Sequence, residues 1–340
     1  MLMNNGLQIE AYNCPYFITE MNTSHFGKMD VAIEMIERAH LVGANCVKFQ
    51  SWSADTLYSD RYYQKNPIAK RFVNKFALSQ EQQKQLSEHC KKIGISFAST
   101  PYSRSEVDFL LEHCHVPFIK VASMEITNLP FLEYISRTGS AVILSTGMST
   151  YQEIQKAVET IIDAGNENFA ILHCVSVYPA KANDLNLLNI NTLREMFPTH
   201  VIGYSDHSIG SSASCAAVAL GASIIEKHFT LDNTIIGMDN QMAALPDEFS
   251  DMITSCSNFH TMLGSKNRLL TEDEEKQKLS MRRSITAVNN ISAGSIIRET
   301  DLVYLRPGEG IPPSQCHLVI DKKALVDIEE GSLIHFTDIN

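Results

Sequence analysis

No two cysteines in the chain stand as C-x-x-C, and eight in 340 residues are too sparse for a disulfide scaffold, so reduced and mostly buried thiols are expected. An excess of positive charge is also missing. The formal net charge is -11, and neither nucleic acid nor an anionic membrane gains by meeting an acidic surface. The N-terminal MLMNNGLQIEAYN has neither the basic start nor the apolar core of a secretory leader. No apolar run approaches the roughly 20 residues of a bilayer span, and no solenoid-like repeat or low-complexity tract is present. The expectation from these features is a cytoplasmic globular protein whose partners are small molecules or other proteins. Hydrophobic residues at 44% and charged residues at 20% supply an ordinary core. The length predicts one large domain with a small one, or two similar domains.

What is present is a recurring short apolar run. Eight occur before residue 230: YFITE (16–20), NCVKFQ (45–50), ISFAST (95–100), FIKVAS (118–123), AVILST (141–146), FAILHC (169–174), VIGYSD (201–206) and SIIEKHF (223–229). They read as nearly continuous apolar runs, the pattern of parallel strands covered on both faces. Helix-period segments such as VAIEMIERAHLV, EQQKQLSEHCKKI and YQEIQKAVETIIDAG lie between them, and several returns to a strand carry glycine, as in KKIGISF and DAGNENF. Eight alternating units predict a (β/α)8 TIM barrel, although an open doubly wound sheet shares the local pattern. After a helical and then polar stretch containing TEDEEKQK, the texture from Ser284 changes to brief β runs separated by SAGS, RPGEG and EEGS. The expected division is a barrel over 1–265, a linker over 266–283 and a small β-rich domain over 284–340.

In a barrel, the C-terminal strand ends share one mouth. Polar residues gather at or just beyond those ends: Glu20, Lys48, Gln50, Thr100, Lys120, Ser123, Glu125, Ser145, Thr146, His173, Ser205, Asp206, His207, Glu226, Lys227 and His228. Lys48, Lys120 and Lys227 each sit in an apolar strand, where burial requires an anion, a carboxylate partner or a lowered pKa. Three lysines converging on one mouth favour an anionic substrate, with Schiff-base chemistry as the competing use. His207 and His228 end neighbouring strands and could approach one divalent ion, with water and substrate oxygens completing an open site; a satisfied strand-end histidine is the plain alternative. Asp206 reads either as part of that chemistry or as a helix cap.

The motifs together resemble the sialic acid synthases, which make nine-carbon nonulosonic acids. The matching segments are ITE with a following H-x-G (Glu20, His25, Gly27), VKFQ, FASTPY, KVASMEITN, LSTGMS, LHCVSVYP, GYSDHSIG, EKHFTLD and GMD, in that order. RRSI, an AG turn and LRPGEGI resemble the family's C-terminal SAF, or antifreeze-like, domain.

The resemblance implies a domain-swapped homodimer in which phosphoenolpyruvate (PEP) condenses with the open-chain aldehyde of an N-acylated hexosamine and releases phosphate. Carried over by motif, Lys48, Thr100, Lys120, Ser123, Ser176 and Ser205 would bind PEP, and His207 and His228 would hold Mn2+ or Mg2+. Glu20 and Glu125 would position water and move protons. Gln50, Tyr178 and Asp239 would meet the sugar end, with Arg306 of the SAF domain reaching the N-acyl group. Three segments depart from the usual family pattern: Ser24-His25-Phe26-Gly27, Ser176 in place of an asparagine, and GMDNQMA. They surround the sugar end of the expected pocket. The competing expectations are a Schiff-base aldolase on the same barrel and a scaffold that no longer turns over.

Overall fold

The computed structural model describes all residues, Met1–Asn340, and the chain separates into two compact units, Met1–Gly264 and Ser265–Asn340. The first unit holds eight parallel strands: β1 (Tyr16–Glu20), β2 (Cys46–Ser51), β3 (Ser96–Pro101), β4 (Ile119–Val121), β5 (Val142–Ser145), β6 (Phe169–Cys174), β7 (Val201–Asp206) and β8 (Ile224–His228). Hydrogen bonding runs in the order β3-β2-β1-β8-β7-β6-β5-β4, and β3 lies beside β4 to complete the ring. Every strand matches an expected apolar run to within a few residues, and the closed ring decides for the barrel over the open sheet.

Helices alternate with the strands. They are α1 (Met29–Leu41), then α2 (Ala54–Leu57), α3 (Asp60–Lys65) and α4 (Pro67–Phe76) ahead of α5 (Gln80–Ile93). The ring continues with α6 (Arg104–Phe109), α7 (Leu129–Arg137), α8 (Tyr151–Asp163), α9 (Asn189–Met196), α10 (Ser212–Ala219) and α11 (Pro246–Leu263). Local chemistry fixes several ends. Thr150 and Glu153 bond reciprocally to each other's backbone N–H at the start of α8, satisfying donors that the first turn leaves unpaired. At the end of α5, Gly94 takes φ +88°, where a side chain would be strained.

The interior of the barrel is layered along its axis. Ile18, Cys46, Ala98, Ile143, Leu172 and Ile224 form a dry core below the mouth, and Met3 and Ile9 from the N-terminal segment join it from beneath. That segment is held at the foot of the ring. Asn4 N–H donates to the Pro117 carbonyl, Asn4 Oδ1 accepts from Ala141 N–H, and Asn168 bonds both backbone groups of Leu2. Two residues further along the strands, the inward positions become Glu20, Lys48, Thr100, Lys120, Ser145 and Glu226. The outward positions, such as Phe17, Val47, Phe49, Ile119 and Ile225, pack with the helices. Period-two alternation therefore does hold along these strands, although both faces are buried.

In the second unit, α12 (Glu272–Met281) is capped by Thr271 and Glu274. The charged TEDEEKQK stretch expected as a linker is therefore largely a solvated helix. Regular β structure is limited to β9 (Ser284–Ala287) and β10 (Leu302–Leu305), which pair antiparallel. The remaining pairing consists of isolated bridges such as Ile291 with Ile328 and Ala324 with Ile339. Frequent turns keep each run too short for a longer ladder, so an isoleucine-rich core that includes Ile285, Ile297, Ile311 and Ile334 holds the unit together. No helix of either unit is long and apolar enough to cross a membrane.

Candidate active site

A cavity of about 640 Å3 opens at the C-terminal ends of the strands. Its floor follows from strand register. Glu20 pairs in register with Lys48 on one side and His228 on the other, while Ser205 pairs with Glu226. The side chains of these in-phase positions turn inward together. Lys48 donates to Glu20 and, at 3.0 Å, to Thr100 Oγ1. Its Nζ also lies 3.8 Å from Glu226, whose other oxygen is 3.7 Å from Lys120. Lys120 donates to Ser145 Oγ at 2.6 Å, and Ser205 donates to Glu226 at 3.0 Å. Two lysines and two carboxylates are thus buried in one contiguous group.

Their protonation differs by position. Burial raises Glu20 above the ordinary carboxylate range; Lys48 lowers it again in part, and the neighbouring charge of Glu226 adds to the rise. Burial acts on Glu226 in the same sense, but Lys120 and then Lys48 hold it below its ordinary value. Lys120 is lowered by burial, whereas the two carboxylates outweigh burial at Lys48 and raise it. The floor therefore holds one firmly ionised carboxylate, Glu226, and one carboxyl, Glu20, that takes up a proton more readily.

Ser123 and Ser176 lie on the wall above. The Gly147 N–H donates to Ser123 Oγ at 3.0 Å, and a Cβ at Gly147 would sit 2.1 Å from Ser176 Oγ and 2.9 Å from Ser123 Oγ. Only glycine leaves these hydroxyls free at that position. Gln50 donates to Glu20 at 3.2 Å and accepts from the Tyr102 hydroxyl at 2.8 Å. Asn22 donates to Asp239 and so ties the β1 loop to the β8 loop.

His207 and His228 meet at the same mouth, with ring centroids 5.4 Å apart and the Tyr178 ring 4.2 Å and 5.7 Å from them. His207 Nδ1 lies 2.8 Å from the Val175 carbonyl, which places the proton on Nδ1 and leaves Nε2 with its lone pair. His228 is buried and its Nδ1 has no hydrogen-bond partner. A buried imidazole nitrogen without a partner, on a ring 5.4 Å from a second imidazole, fits a divalent cation. Two imidazoles alone would leave the remaining positions around such an ion to water or substrate oxygens. His25 has a different role. Its Nδ1 accepts from Gly27 N–H at 3.0 Å inside the β1 turn, and burial drops its pKa to about 4.

Three expected residues are not at the mouth. Lys227 is one position out of phase with Glu226 and points outward, donating to Asp206 at 2.9 Å and to the Ser208 carbonyl at 2.6 Å. The cationic floor therefore contains two lysines, not three. Asp206 faces the same way and accepts from Ser208 N–H, Ser208 Oγ and Ser214 Oγ, so it organises the β7 turn behind the site. Glu125 lies in a single tight turn after β4, where its carboxylate accepts from Asn128 at 2.7 Å and does not line the cavity. Arg306 belongs to the second unit, where it is exposed after β10. Glu226 and Ser145 line the cavity as strand-end residues without an assigned role, and Asn22 and Tyr102 join them there. All but Asn22 stand in polar strand ends or motifs already visible in the sequence.

Residues 35–268 match the NeuB family model and residues 282–340 the SAF domain model. The chain belongs to the NeuB family. It is 34% identical over 344 residues to N,N'-diacetyllegionaminic acid synthase of Legionella pneumophila, covering 97% of this chain and 96% of that protein. It is 32% identical to human N-acetylneuraminate-9-phosphate synthase, covering 94% and 91%. Among solved structures, a sialic acid synthetase from Leptospira borgpetersenii in complex with citrate superposes with TM-score 0.74 at 33% identity, covering 80% of this chain and 92% of that one.

Proposed function

We propose that this protein joins PEP to the open-chain aldehyde of an N-acylated hexosamine, releasing inorganic phosphate and giving a nonulosonic acid. The observation that carries the reading is the buried floor in which Lys48 and Lys120 share Glu226 beneath a histidine pair. It is supported by family membership and by relatives named as legionaminate and neuraminate-phosphate synthases.

In this reaction, C3 of PEP forms a bond to the aldehyde carbon, water adds to C2, and the C2–O bond to phosphate breaks to leave a 2-keto acid, the two water protons ending on the former aldehyde oxygen and on the departing phosphate. Lys48 and Lys120, with Thr100, Ser123, Ser176 and Ser205, take the carboxylate and phosphate of PEP. The two ammonium groups exchange part of their pairing with Glu20 and Glu226 for the incoming anion. Glu20, whose burial favours protonation, accepts a proton from the water that adds at C2. Gln50 holds that carboxyl in place, and Tyr178 and Asp239 face the sugar. A divalent cation, Mn2+ or Mg2+, held by His207 and His228 would polarise the aldehyde oxygen. In a homodimer, the SAF domain of one protomer would close the mouth of its partner, with Arg306 reaching the N-acyl group.

The test is phosphate release from PEP against a panel of N-acyl hexosamines, with product masses. Acceptor-dependent release with a product of summed carbon number is expected. A borohydride-trapped adduct at Lys48 or Lys120 would refute the mechanism in favour of a Schiff-base aldolase.

A further inference from the structure

The polar floor accounts for only part of the cavity. On the side of β1 to β3, the wall is built by the helical segment α2 to α4, which forms a small core of its own from Ala54, Tyr63 and Val73 packed with Trp52, Leu57 and Ala69. The segment is fixed to the barrel through rings: Phe76 lies against Phe26 of the β1 loop and Trp52 against Tyr102 of the β3 end. Toward the cavity it presents Tyr58, Tyr62 and Phe72, which remain 45%, 41% and 40% exposed. Tyr58 and Tyr62 stack at 4.6 Å, and Phe72 packs on Phe76 at 4.8 Å. The open faces of these rings are thus held in fixed positions. PEP, small and anionic, has its partners at the floor and none here, so the wall is left to the acceptor.

Charge sharpens the point. Apart from the two imidazoles, the only cations lining the cavity are Lys48 and Lys120. Lys70 and Lys75 of α4 lie over the Tyr63 and Phe76 rings instead. A phosphate at the acceptor end remote from the aldehyde would lose water without gaining a partner from this wall. A methyl group or the methyl of an acylamido substituent would cover exposed ring faces.

Building on the condensation proposed above, we infer that the acceptor is an unphosphorylated, deoxygenated hexosamine carrying methyl or acylamido groups at the end remote from its aldehyde. Tyr58, Tyr62 and Phe72 are its specificity-determining residues. The full-length protein, loaded with Mn2+, is assayed for phosphate release with PEP and three acceptors: a 2,4-diacetamido-2,4,6-trideoxyhexose, N-acetylmannosamine and N-acetylmannosamine 6-phosphate.

The trideoxy sugar is expected to lead N-acetylmannosamine in kcat/KM by about tenfold or more, the scale of an added apolar contact, with the phosphorylated sugar last. Tyr62→Ala and Phe72→Ala should each raise KM for the trideoxy sugar by about tenfold while KM for PEP stays unchanged. Phe72→Arg should improve use of the phosphorylated sugar. Unaltered circular dichroism separates these effects from misfolding. Preference for either hydroxylated or phosphorylated acceptor in the unmodified protein, or an unchanged preference in the folded alanine variants, overturns the inference while leaving the synthase reading intact. No release with any acceptor overturns the synthase reading and this inference with it.

Discussion

Replacing Glu226 with glutamine removes one charge from a closed group of four. The carboxylate stands 3.8 Å from Lys48 Nζ and 3.7 Å from Lys120 Nζ, and Ser205 donates to it at 3.0 Å. Without it, Glu20 alone balances two buried ammonium groups. Breaking a buried ion pair by removing one partner costs about 3–5 kcal/mol. Glutamine keeps the shape and an acceptor for Ser205, so the lower end, about 3 kcal/mol, is expected.

For a unit of this size, that loss corresponds to a melting temperature lower by roughly 6–12 °C in differential scanning fluorimetry. The loss has a pH signature. Lys120 is already held below its ordinary value by burial, and losing Glu226 removes the main charge that raises it. Between the folded pKa and the unfolded one, the unfolded chain binds more protons. Stability of the variant therefore climbs with pH through that window, more steeply than in the parent protein. PEP supplies replacement negative charge and should raise the melting temperature of the variant more than that of the parent. A variant that melts within about 2 °C of the parent at neutral pH, with no steeper alkaline rise, would refute the charge-balanced floor.

Glu20→Gln should lower phosphate release by about 10²–10⁴-fold while PEP still binds, as measured by calorimetry. In the parent protein, burial lifts the Glu20 pKa above 4.5, so turnover should fall as pH drops through that raised value and its accepting form is lost. Chelation should abolish phosphate release and Mn2+ or Mg2+ restore it, whereas His207→Ala and His228→Ala should stay inactive with metal in excess. Behind the site, Asp206→Ala leaves Lys227 buried without its carboxylate and should cost about 3–5 kcal/mol in urea unfolding. Lys227→Met should cost less, because Ser208 and Ser214 still donate to Asp206. Retained activity in the folded fraction of both variants would bear out their outward placement.

Most of the barrel was legible because its strands are short, apolar and separated by capped helices, signals carried within a dozen residues. The site was legible as far as strand ends define a mouth. The outward placement of Lys227 comes from alternation inside a strand whose composition reads as uniformly apolar. In IIEKH, the inward positions are Ile224, Glu226 and His228, and the lysine between them points away from the cavity. Glu125 lies off the cavity for a different reason: proximity to Ser123 in sequence does not decide which way one tight turn directs the next carboxylate. The wall from α2 to α4 was not legible at all. Tyr58, Tyr62 and Phe72 acquire a role only when residues 54–76 fold over the β1 and β3 ends, a long-range contact without a local pattern.

The N-terminal segment beneath the barrel also constrains traffic. With Met3 and Ile9 sealing the dry core from below, substrates and products share one entrance. Lys48 and Lys120 are buried at the far end of that passage and the more exposed Tyr58, Tyr62 and Phe72 lie nearer its opening, so a sugar already seated there would obstruct an anion arriving later. For the reaction proposed above, this geometry would set a queue: PEP would enter first and the sugar second, and phosphate, released at the dead end, would leave only after the long product had cleared the way.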